Sequence, residues 1–119
     1  MTKLIFHILN TVFTIFYLFP GSILGYIFYG NLSKQPQITT DFIVSSNHVY
    51  AFSVLSFLGF VSYYKSHKNL IISYFFSISI FFELLHMIIP SRSFQFSDLF
   101  GNIVGVLFSL ILINIWRRK

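Results

Sequence analysis

The stretch from Ser97 to Trp116, SDLFGNIVGVLFSLILINIW, decides how this chain is read. It is long enough to cross the hydrocarbon core of a bilayer, which takes about 20 residues of helix. Asp98 is its only charged residue, and it sits at one end. Three further apolar runs lie upstream: about Leu4 to Tyr29, about His48 to Tyr64 and about Asn69 to Ile89. The expected fold is therefore all-α, a polytopic membrane protein with a bundle of about four transmembrane helices in one domain over residues 1–119. Pro20-Gly21 should kink or interrupt the first run, because proline removes a backbone donor and crowds the preceding turn. A signal peptide is the weaker reading of that run. It is longer than the 7–15 apolar residues typical of such a region, and no small-x-small cleavage site follows.

Composition points the same way. Hydrophobic residues make up 55% of the 119, aromatic residues 21% and charged residues only 9%. Soluble domains carry about 25% charged residues, and a small domain cannot bury this much apolar surface. The formal net charge of +5 could suit nucleic acid. The cations instead lie between apolar runs, so no nucleic-acid partner is expected. Absence of cysteine excludes disulfides, thiolate metal sites and a cysteine nucleophile.

Charge placement gives an orientation. Lys3, Lys65, Lys68, Arg117, Arg118 and Lys119 fall on one side, and only Lys34 and Arg92 on the other. By the positive-inside rule, the N and C termini and the Lys65–Lys68 turn are cytoplasmic. The Gly30–Asn47 and Pro90–Phe96 loops then face outward. Trp116, Tyr26, Tyr29, Tyr63 and Tyr64 lie near helix ends, where amphipathic rings favour the interface. The expected location is a bacterial cytoplasmic membrane, with the lipid bilayer as the first partner.

The polar residues inside the runs are few and gather at one end. Glu83 lies roughly 9 Å inside the end of its run, at 1.5 Å per residue. A charge at that depth costs about 2.5–3.5 kcal/mol unless it is paired, protonated or wet. His86 shares a helix side with Glu83. Arg92 follows Pro90, Asp98 and Asn102 open the last run, and His48 opens the second. Together they outline a polar cleft. A cluster that only holds helices together satisfies the same polar groups equally well. Gly101, Gly105 and Ser109 recur at every fourth position, as do Gly21 and Gly25. Small residues at that spacing let helix backbones approach closely. Intramolecular packing explains them most simply, and a homo- or hetero-oligomer face is the alternative.

The run Glu83-Leu84-Leu85-His86-Met87-Ile88-Ile89-Pro90-Ser91-Arg92, followed by Asp98-Leu99-Phe100-Gly101-Asn102-Ile103-Val104-Gly105, resembles VanZ-like membrane proteins. That family shows a Glu, a Gln three residues later, a Pro-x-Arg turn, and then Asp, Asn and Gly at intervals of four and three. Upstream, His48-Val49-Tyr50-Ala51-Phe52 resembles the family's His-x-x-Ala-aromatic run. The departures are His86 where glutamine is usual, and Val44-Ser45 where an Asp-Lys pair often stands. The resemblance implies a protein of the cell envelope, with a link to resistance against teicoplanin-type glycopeptides.

Three functional readings follow. In the first, the cleft binds an anionic or polar ligand, either an envelope lipid headgroup or a cell-wall fragment. Arg92 grips it bidentately. His48, His86 and Asn102 hydrogen-bond it, while Glu83 and Asp98 hold Arg92 and the histidines in place. In the second, the chain is a structural or accessory subunit. In the third, Glu83 is a general acid or base and His48 or His86 shares the proton transfer. A metal version would use His48, His86, Glu83 and Asp98. No compact motif such as H-E-x-x-H is present, so neither a metal nor a cofactor is expected.

Overall fold

The computed structural model describes residues 1–41 and 43–119. Among them lie five α-helices and no strand: α1 (Thr2–Leu18), α2 (Ile23–Tyr29), α3 (Ser46–Tyr63), α4 (Lys68–Leu85) and α5 (Phe96–Arg118). The single helix expected over Leu4–Tyr29 is thus two. Phe19 turns extended (φ −67°, ψ 138°), the conformation imposed on a residue preceding proline. Gly21 follows at φ +115°, a region open to glycine and strained for other residues. Ser22 then caps α2, its Oγ accepting from Gly25 N at 2.9 Å. The two helix axes differ by 86°, so α2 turns sharply away from the line of α1.

The other helices run up and down. One end of the bundle gathers the start of α1, the α3–α4 turn and the end of α5. The opposite end, called here the polar end, gathers the end of α1, the starts of α3 and α5, and the α4–α5 turn. Helices α4 and α5 are each long and apolar enough to cross a membrane, and α1 with α2 qualifies as a bent pair. Helix α3 does not, and its position explains why. It packs against α1, α4 and α5, so little of its surface needs to be apolar enough for lipid. The outer faces of α1 and α5 do: Ile5, Ile8, Val12 and Ile15 on one, and Val104, Leu107, Phe108 and Ile111 on the other, are exposed. Exposed apolar surface on this scale belongs in lipid.

The closest seam is α3 against α5. A Cβ on Gly101 would stand 2.8 Å from Ser45 O, and one on Gly105 would stand 2.7 Å from Val49 O. Ser109 Oγ donates to Ser53 O at 2.5 Å. This small-residue stripe is therefore covered within the chain. Gly21 and Gly25 face no helix. A Cβ on Gly25 would meet Lys34 O at 1.6 Å, and one on Gly21 would meet Leu32 O at 3.1 Å. The helix-packing role expected for them is corrected: they seat the segment after α2, and α2 touches no other helix extensively.

Candidate functional site

Tyr17, in the last turn of α1, is the centre of the polar end. Its hydroxyl donates to Glu83 Oε2 at 2.5 Å and accepts from Asn102 Nδ2 at 2.8 Å. Its ring stacks on His86, with centroids 4.6 Å apart. Helices α1, α4 and α5 thus meet at one hydroxyl, and α3 joins through His48. His48 Nδ1 lies 2.8 Å from Asn102 Oδ1 and 3.1 Å from Tyr17 OH. His48 Nε2 lies 3.6 Å from Asp98 Oδ1.

Glu83 and Asn102 are fully buried, and their partners account for both. Glu83 Oε1 accepts from Gln95 N at 3.1 Å, and Oε2 lies 3.3 Å from His86 Nδ1, an ion pair when that ring carries both protons. Asn102 Nδ2 also donates to Ser79 O at 3.0 Å. Among the described residues, no buried side-chain nitrogen or oxygen lacks a partner. That is the condition for polar groups to persist at membrane depth, where an unmatched one costs several kcal/mol.

Arg92 is held differently from the sequence expectation. Neither Glu83 nor Asp98 pairs with it. Its Nε donates to Phe19 O at 2.9 Å and its Nη2 to Phe16 O at 3.0 Å. These are carbonyls that the break at Pro20 leaves without helical partners, and a cation suits the negative end of a helix. The turn before it aims the side chain that way, with Ser91 at φ 62°. One edge of the guanidinium is therefore taken by α1. Among the described residues, the edge that includes Nη1 has no hydrogen-bond partner, and burial lowers the pKa of Arg92 from its ordinary value.

Beside this network lies a cavity of about 880 Å³. It opens between the α1–α2 break, the loop after α2 and the start of α3. His48, His86, Arg92 and Asp98 line it, together with apolar side chains such as Phe13 and Phe16. Glu83 and Asn102 stand behind that wall and do not line it. Of the six residues expected to touch a ligand, four face the cavity and two support them. Tyr17 also lines it and was missed by the sequence reading. Its only signal was a polar ring three residues before Pro20 in an apolar run.

Apolar membrane-length helices around a satisfied polar end define a small polytopic membrane protein. A family model described as VanZ/LLP1 matches residues 4–117, and the chain belongs to that VanZ-like family. No curated protein and no solved structure matches it.

Proposed function

We propose that this protein is a four-span envelope protein whose polar end faces outward and binds an anionic amphiphile, such as a phosphate-headed lipid. The observation that carries this reading is the composition of the cavity wall: a guanidinium edge without a partner among the described residues and two imidazoles, next to phenylalanine side chains. Arg92 offers charged donors to an anion. His48 adds a polar contact, His86 is fixed behind it by Tyr17 O at 2.8 Å and Glu83, and Phe13 and Phe16 suit the apolar part. The mixture of a mostly apolar wall with a few convergent polar groups is typical of ligand sites.

Orientation rests on the cations at the opposite end. Lys3 lies over the Tyr63 ring at 5.0 Å, and Lys68 and Arg117 lie over Tyr64 at 5.1 and 5.0 Å. Cations and tyrosines at one level suit a cytoplasmic interface. With termini inside, α1, α3, α4 and α5 each cross once, and α2 lies at the outer surface.

Arg92→Gln tests the reading. The full-length chain, purified in mild detergent, is weighed intact with its co-purified lipid. Wild type should retain an anionic lipid that Arg92→Gln loses at unchanged protein yield. Equal retention would overturn the proposal. A second reading, the accessory subunit, is favoured by the complete pairing of the buried polar atoms. It predicts that Arg92→Gln lowers melting temperature and membrane abundance without altering bound lipid. Resistance to teicoplanin-type glycopeptides would be one consequence of occupying an envelope lipid. It is measured by comparing drug susceptibility of cells expressing wild type and Arg92→Gln.

A further inference from the structure

His48, Glu83 and Asp98 come from α3, α4 and α5, and each offers one ligand atom within 4.8 Å of the other two. We propose that these three side chains bind a divalent transition-metal ion that faces the cavity. The inference stands on hydrogen-bond accounting and does not depend on the amphiphile reading.

Ser79 O can only accept, so the Asn102 atom 3.0 Å from it is the amide nitrogen. The other Asn102 atom is then the oxygen, and it faces His48 Nδ1 at 2.8 Å. His48 Nδ1 therefore carries a proton, and in the neutral ring Nε2 carries a lone pair. That lone pair faces Asp98 Oδ1 at 3.6 Å. With His48 neutral, two acceptors confront each other there, and a metal ion between them resolves the repulsion, as a second ring proton would by making the His48–Asp98 ion pair. A histidine that donates one ring N–H to an oxygen while its other nitrogen holds a metal is the common arrangement in metal sites.

Charge and geometry agree. Glu83 and Asp98 bring two carboxylates, and among the described residues neither forms an ion pair with a lysine or arginine. Arg92 is turned to the carbonyls of α1. Ligands of one tetrahedral zinc ion stand about 3.4 Å apart, from bond lengths of about 2.1 Å, so side chains within 4.8 Å of one another need to draw in by at most about 1.4 Å. One imidazole with two carboxylates suits zinc or manganese better than magnesium. His48 and Asp98 line the cavity, so the remaining coordination position would open into it.

The test uses Co²⁺ alone, added to the full-length chain in detergent after chelation and without added lipid. The expected result is visible d–d bands that saturate at one Co²⁺ per chain. Asp98→Asn should lose them, and His67→Gln, at the other end of the bundle, should keep them. Near-ultraviolet dichroism of metal-free Asp98→Asn checks that its packing matches wild type. Absence of bands in wild type would overturn the proposal, leaving a second proton on His48 as what separates the two acceptors. Bands equally strong in Asp98→Asn would overturn it too, because the metal would then sit elsewhere. Failure of wild type to retain an anionic lipid, with intact Co²⁺ binding, would refute only the amphiphile reading.

Discussion

At the end holding both termini, Phe6, Phe60 and Phe75 meet edge to face, with Phe75 5.8 Å from Phe6 and 5.5 Å from Phe60. At the polar end, Tyr17, His48, Glu83 and Asn102 meet through hydrogen bonds. The aromatic end packs its rings beside a smaller pocket of about 430 Å³ lined by Phe6, His7 and Tyr63. Gly59 makes room for the Phe75 ring, which would stand 2.5 Å from a Cβ there. The polar end is equally well satisfied, yet it borders a cavity of about 880 Å³. Rings pack without direction, whereas hydrogen bonds fix individual atoms in place. A bundle that needed only cohesion could use rings at both ends. The aromatic end has hydrogen bonds of its own, His7 to Tyr63 and Tyr74 to Asn10, so what sets the polar end apart is a fully buried carboxylate, Glu83, in a bonded network beside the larger of these two cavities.

Breaking each end separately should separate the two roles. Phe75→Ala should have the largest effect on stability, about 3 kcal/mol from the lost ring and the space it leaves. Steric-trap or denaturant unfolding in detergent measures it, and lipid retention by the folded fraction should be unchanged. Tyr17→Phe should cost less, about 1–3 kcal/mol, because it removes the donor to Glu83 and the acceptor for Asn102. It should also weaken ligand retention, which Phe75→Ala should not. If both variants lowered retention in proportion to stability, the distinction between the ends would collapse.

Smaller effects sharpen the picture of the turn and loop that frame the cavity. Ser91→Gly should stabilise by about 0.5–1 kcal/mol, since glycine accepts a positive φ without steric cost. No gain would mean that the turn is not strained. Asp41 lies in the loop after α2. Its carboxylate accepts from the backbone N–H of Ser46 at 2.9 Å, and this bond above all holds its pKa below the ordinary value. A depressed folded pKa contributes stability that is complete above the unfolded value and is lost as pH falls through the folded one. Protease nicking of the 31–45 loop should therefore rise at acid pH in wild type. In Asp41→Asn it should be high and independent of pH.

How much of this was legible beforehand depended on whether a feature was local. The apolar runs fixed the helices of the bundle, and Pro20-Gly21 marked the break. The 86° bend was not legible, because it is set by Gly21, Ser22 and the contact of Gly25 with Lys34. The Glu83–Asn102 string placed its polar residues at one end of the bundle because its members are close in sequence. Tyr17 escaped because its partners are 31, 66 and 85 residues away. Arg92 was misassigned for a related reason. Carboxylates are its obvious partners, but the carbonyls exposed by a broken helix compete for it and leave no mark in composition. The three ligands proposed for a metal come from three helices, so no spacing motif could reveal them.

The most direct test of the central claim compares the two ends within one sample. Side-chain resonances of Arg92 Nε–H and the His48 ring are followed in nanodiscs of zwitterionic lipid as phosphatidylglycerol is added. His7 and Tyr63, paired at 2.7 Å at the other end, serve as the internal reference. A saturating shift at Arg92 and His48 with little change at His7 and Tyr63 is predicted. Equal shifts at both ends, or none at Arg92, would contradict a ligand site at the polar end.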